Sequence, residues 1–83
     1  MSNAQQNKAF SRELKSARQG SGFTVQDLAD DLGAGENPVD LATLTAWENG
    51  KDAPKEWERD AVEAVERSLG CEGTLTEAIG WPA

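Results

Sequence analysis

Between Phe23 and Gly50 stand six carboxylates, Asp27, Asp30, Asp31, Glu36, Asp40 and Glu48, with no Lys or Arg among them. Acids in such number could support hydrolytic proton transfer, but the supporting residues are missing. The chain has no His, which removes the usual neutral-pH general base and the commonest transition-metal ligand. Cys71 is the single cysteine, and one Cys without His cannot build an ordinary structural zinc site. No Gly-rich phosphate loop or nucleophile elbow accompanies the acids, which fall on solvated helical faces. Enzyme is therefore the weak reading, and no catalytic, metal or cofactor-binding residue is assigned.

The elements that position these acids are helical throughout, and no strand pattern competes. A first helix is expected from about Asn7 to Gln19, with Phe10, Leu14 and Ala17 on one face and Gly20-Ser21-Gly22 ending it; residues 1–6 read as a flexible tail. A second follows Thr24, whose hydroxyl and the Asp27 carboxylate form a capping box. Val25, Leu28, Ala29 and Leu32 give its apolar stripe, and Gly33 stands where a left-handed terminal residue belongs. Ala34-Gly35-Glu36-Asn37-Pro38 is a polar loop, and Pro38 keeps Asn37 out of helical geometry. Asp40 then caps a short third helix, with Val39 and Leu44 as a hydrophobic staple. Leu41, Leu44 and Trp47 form the buried stripe of that helix, and Gly50 stops it.

A fourth helix opens near Pro54, a residue suited to a first turn. Its inner face is Trp57, Ala61, Ala64, Val65, Ser68 and Leu69, and its outward pairs are Arg59–Glu63 and Glu63–Arg67. Gly70 ends it. Thr74 and Glu77 signal a capping box for a last short helix bearing Leu75, Ala78 and Ile79. Trp47 and Trp57 fall at core spacing. Trp81 either folds back on the first or fourth helix or stands as an anchor for a partner, and packing is the preferred reading. Cys71 reads as a small buried filler.

Length and composition agree with one small domain. The chain has 83 residues, 37% of them hydrophobic and 28% charged, in the range of globular proteins. Its apolar runs are too short to span a membrane, and MSNAQQNKAF has no apolar leader core. A lone cysteine forms no internal disulfide and suits a reducing cytoplasm. The formal net charge is −7.

In order and spacing the chain resembles the phage-repressor-like Cro/XRE helix-turn-helix family from about Phe10 to Ile79. The matching elements are Leu14-x-x-x-Arg18-x-x-x-Gly22-x-Thr24, Leu28-Ala29-x-x-Leu32-Gly33, Leu44-x-x-Trp47-Glu48-x-Gly50, Pro54 and Leu69-Gly70. The resemblance implies an all-α, compact five-helix repressor-like domain whose third helix enters the DNA major groove. It also implies an ion pair between Arg18 and Glu48, pinning the first helix to the reading helix. Carried over residue by residue, the base-facing positions are Leu41, Ala42, Thr45 and Ala46, with Thr43 nearby. Phosphate contacts fall to Asn49, Lys51 and Lys55 and to the amides at Thr24-Val25 on the second helix N-terminus. Each has a plainer reading: Leu41 as core, Ala42 and Ala46 as helix formers, and Lys51 and Lys55 as solubilising charges.

The chain departs from the family pattern twice. The turn between the second and third helices is about five residues longer, the segment Ala34–Pro38. The base-facing set also lacks the bidentate amide or guanidinium that distinguishes guanine or adenine edges. Charge sharpens the second point. Residues 1–22 carry +3, residues 23–50 carry −6 and residues 51–83 carry −4. Two functions are therefore expected to compete. One is a sequence-specific DNA-binding transcriptional regulator of bacterial or phage type, acting on double-stranded DNA as a homodimer. The other is an acidic protein-interaction module on the same fold, antitoxin-like or a DNA-mimicking inhibitor, with a basic protein partner and the loop 34–38 in its contact surface.

Overall fold

In the computed structural model, which describes residues 3–81, five α-helices follow one another and no strand is present among those residues: α1 Asn3–Gly20, α2 Val25–Gly33, α3 Leu41–Glu48, α4 Arg59–Leu69 and α5 Thr74–Ile79. A 3-10 turn, Glu56–Glu58, precedes α4. The first helix starts four residues before the expected boundary. Ala4, Gln5 and Gln6 favour helix, and no Gly or Pro interrupts the run. The tail expected over residues 1–6 is therefore helical from Asn3 onward, while residues 1 and 2 lie outside the described residues.

One core joins all five helices. Phe10 and Leu14 of α1 meet Leu28 and Leu32 of α2, Leu44 and Trp47 of α3, Val62 and Val65 of α4, and Leu75 and Ile79 of α5. The first helix packs against α3 and α5, α2 against α3 and α4, and α4 against α5. Phe10 meets Trp47 edge to face, with ring centroids 5.6 Å apart and planes at 78°. Such a pair contributes about 0.5–1.5 kcal/mol beyond its area burial. Trp81 and Cys71 pack partly buried against the same core.

Three local expectations are corrected. Gly33 belongs to α2, and the cap residue is Ala34, right-handed at φ −82°. The chain continues through bonds from the Ala34 amide to the Asp31 carbonyl and from the Gly35 amide to the Leu32 carbonyl. A longer connector need not reverse at once, so no left-handed residue is required there. Leu41 is 41% exposed rather than part of the α3 stripe, which is Leu44, Trp47 and Glu48. It is the first helical residue, and Val39, buried two places earlier, already supplies the staple.

The third correction concerns the entry to α4. Trp57 is 83% exposed, not core. Its expected burial extrapolated an α-helical period back from Ala61. The 3-10 turn rotates about 120° per residue instead of 100°, so the face changes where the two forms join. The buried face of α4 is Val62, Val65, Glu66 and Leu69, with Ala61, Ala64 and Ser68 only half-buried. Of the two outward pairs, Arg59–Glu63 forms at 3.3 Å. Glu63–Arg67 does not appear among the ion pairs of the described residues, and Arg67 instead borders a cleft with Asp31, Glu36 and Asn37.

Candidate nucleic-acid interface

The third helix is short, and its ends are closed by specific contacts. Asp40 caps it, accepting from the Thr43 amide at 2.9 Å. The Asp40 carboxyl is held below its ordinary value by its bonds to the Thr43 side chain and amide. At the other end Gly50 adopts φ +72°, a left-handed conformation that costs glycine little. The Lys51 and Asp52 amides then both donate to the Ala46 carbonyl, at 3.0 and 3.4 Å.

Arg18 of α1 fixes the last turn of α3. Its Nε donates to Glu48 Oε2 at 2.5 Å and one terminal nitrogen to Oε1 at 3.0 Å. Its other terminal nitrogen donates to the Phe23 carbonyl at 2.7 Å. The guanidinium fork thus ties α1, the α1–α2 turn and α3 together. The side chains are 12% and 5% exposed, so water screens the pair weakly. Ser11, seven residues or about two turns before Arg18 on the same side of α1, donates its hydroxyl to the Glu48 carbonyl. Sequence reasoning missed Ser11, although Ser11, Leu14 and Arg18 share a helical face at i, i+3 and i+7.

The flank of α3 that faces away from the buried Leu44 and Trp47 is open. Leu41, Ala42 and Thr45 are exposed, whereas Thr43 and Ala46 are half-buried. The lengthened connector does not cover them: Gly35, Glu36 and Asn37 border a cleft of about 270 Å³ whose other wall is Ala64, Arg67 and Ser68 of α4. Asp31, at its edge, accepts from the Ser68 hydroxyl at 2.6 Å.

The expected phosphate contacts fare unevenly. The Thr24 amide is already bonded to Asp27 Oδ2 at 3.1 Å, and the Thr24 hydroxyl accepts from the Asp27 amide at 3.0 Å. The capping box is thus as expected, but it removes the Thr24 amide from the phosphate set and lays a carboxylate across the helix N-terminus. Val25 is half-buried. Lys55 bonds Asp52 at 3.2 Å and the Ala53 carbonyl at 3.3 Å. The Ala53 amide and then Lys55 hold the Asp52 carboxyl below its ordinary value. Lys51 and Asn49 are exposed, and Lys51 enters no ion pair among the described residues.

The last helix is held in a way the sequence reading missed. Thr74 was expected to cap it, but Thr74 is its first helical residue and Gly73, at φ +85°, is the cap position. The carboxylate there is Glu66, reaching from α4: Oε2 accepts from the Leu75 amide at 2.8 Å, the Thr76 amide at 2.9 Å and the Thr76 hydroxyl at 3.3 Å. Glu66 stands at i+4 from Val62, on the apolar stripe, and a charge at that position was the available signal. Cys71, nearby, has its thiol pushed up by burial first and then by the Glu66 and Glu72 carboxylates.

Among the described residues no group of three or more His, Cys, Asp or Glu is arranged to hold a metal ion, and no helix is long and apolar enough to cross a membrane. No family model matches the chain, and no curated protein or solved structure matches it. The family resemblance thus rests on the residues and their spacing.

Proposed function

We propose that the chain is a DNA-binding transcriptional regulator of the helix-turn-helix kind, with the Leu41–Thr45 flank of α3 set in the major groove. One observation carries this reading: the flank is solvent-open while Leu44 and Trp47 of the same helix are buried in the core and its last turn is held by the Arg18–Glu48 fork. A groove-reading element needs both properties. Readout is through contact of Leu41 and Ala42 with thymine methyl groups and one hydrogen bond from Thr45, and Lys51 and Asn49 meet phosphate. Two copies on a palindromic site would double this small footprint, with half-sites about 34 Å apart.

The acidic surface sets the expected affinity. Asp30, Asp31 and Glu36 are exposed and repel phosphate, so binding belongs to low salt. Selection from a random duplex library, followed by gel shift in low salt, is the test. A retarded band that weakens steeply as salt rises, and that K51A weakens further, supports the reading. Absence of any retardation at tens of micromolar protein overturns it, since even non-specific binding usually has Kd of about 10⁻⁴–10⁻⁶ M.

The alternative, an acidic module for a basic protein, predicts the opposite response to charge. The triple variant D30N/D31N/E36Q should bind duplex more tightly if DNA is the ligand. It should lose its partner if those carboxylates are the contact surface.

A further inference from the structure

Trp57 is 83% exposed, and the 3-10 turn that presents it is fixed at both ends. The Lys55 amide donates to Glu58 Oε1 at 2.8 Å, and the Glu58 amide donates to the Lys55 carbonyl at 2.8 Å. An indole so open forgoes the burial that large aromatic side chains normally gain. A rigid aromatic anchor loses little conformational entropy when something covers it.

The charges around the ring say what would cover it. The adjacent cations are already engaged, Lys55 with Asp52 at 3.2 Å and Arg59 with Glu63 at 3.3 Å. Glu56 and Asp60 are exposed and enter no ion pair among the described residues. The ring therefore sits in a field that repels phosphate, and a second copy of a chain carrying −7 is repelled as well. A guanidinium is attracted twice, to the indole face and to a carboxylate beside it.

We propose that Trp57, flanked by Glu56 and Asp60, is a docking site for an arginine-bearing segment of a partner protein. The site lies outside the α3 flank and stands or falls independently of DNA binding.

The probe is an acetylated, amidated peptide of alternating Arg and Gly, titrated into the ¹⁵N-labelled full chain. Versions with Lys or citrulline in place of Arg serve as controls, and W57F assigns the indole resonance. The Trp57 indole N–H is expected to move saturably while that of buried Trp47 stays still. W57A should weaken binding about three- to five-fold and W57F less, with the lysine peptide weaker than the arginine one and the citrulline peptide weakest. Trp57 is too exposed for W57A to threaten folding, which thermal unfolding verifies.

Unchanged affinity in W57A would overturn the proposal, because attraction would then be diffuse. A short DNA duplex that moves the Trp57 indole more than the peptide does would overturn it in favour of nucleic acid. A wild-type dimer in sedimentation that W57A dissociates would overturn it in favour of a second copy.

Discussion

Glu48, closing α3, and Glu66, in the middle of α4, are both carboxylates under the surface, 5% and 3% exposed. Arg18 answers the first with a cation presented as a fork, from 30 residues away in sequence. The second has no cation partner among the described residues: two backbone amides and a hydroxyl at the start of α5, 9 and 10 residues on, do the same work. Leaving water is costly for any ionised group, and each arrangement offsets that cost by supplying donors. The difference lies in what is held. Arg18–Glu48 holds the last turn of α3 against α1, whereas Glu66 anchors the short terminal helix beneath α1 and α4, with an attraction reinforced by the α5 N-terminal dipole.

Removing the cation should do the most damage. R18A strands Glu48 in the core, and breaking a buried pair this way costs roughly 3–5 kcal/mol. For a domain of this size each 1 kcal/mol lowers Tm by about 4–8 °C. The variant is expected to sit near its unfolding limit at room temperature, as circular dichroism against temperature will read. A melt within a few degrees of wild type would mean that Glu48 finds water or another donor.

E66A comes next. It leaves the Leu75 and Thr76 amides without acceptors, for roughly 1.5–3 kcal/mol, the usual worth of hydrogen bonds to a charged group. The loss should be local: exchange of those two amides should accelerate while amides in α3 keep their protection. E66Q, which retains an acceptor oxygen, should recover part of the loss. If R18A rather than E66A loosens α5, the two anchors are not separable and the contrast fails.

How much of this was legible in the residues follows the range of each interaction. The Thr24–Asp27 box, the Asp40 cap and the stops at Gly50 and Gly70 depend on neighbours within a turn, and all appear as expected. Arg18–Glu48 spans two helices, and its partners were named only because the spacing resembled a family in which such a pair recurs. Glu66 drew no expectation from the sequence, because its partners are mostly backbone atoms whose position depends on where α5 begins. Trp57 was misplaced by a change of helix type that no single residue announces. On the open flank, Leu41 could be read as core or as surface, and only the packing of Val39 decides between them.

R18K should produce a smaller effect than either truncation. It keeps the charge but loses the fork, so stability falls modestly while α3 gains angular freedom. Chemical shifts of Leu41, Ala42 and Thr45 would then move without unfolding. Unchanged shifts would show that charge alone positions the helix.

The smallest effect belongs to Asp40, whose carboxyl is held below the ordinary 3.8. A depressed folded value means its stabilisation is fully present above about pH 4 and is lost as pH falls through the folded value. The Thr43 amide resonance should follow that acid transition, and D40N should flatten it. A titration at or above the ordinary carboxylate value would show that the cap contributes nothing to the folded state.

If α3 reads DNA as proposed, its closure at Asp40 and Gly50 also limits how much information the domain can extract. Eight residues rise about 12 Å. Along a duplex with steps of about 3.4 Å, that reach covers three or four base pairs. A lone head would meet an acceptable word on the order of once per hundred positions, far too often to address one locus. On the proposed DNA-reading role, selectivity would have to come from counting, through the distance between two heads, more than from spelling.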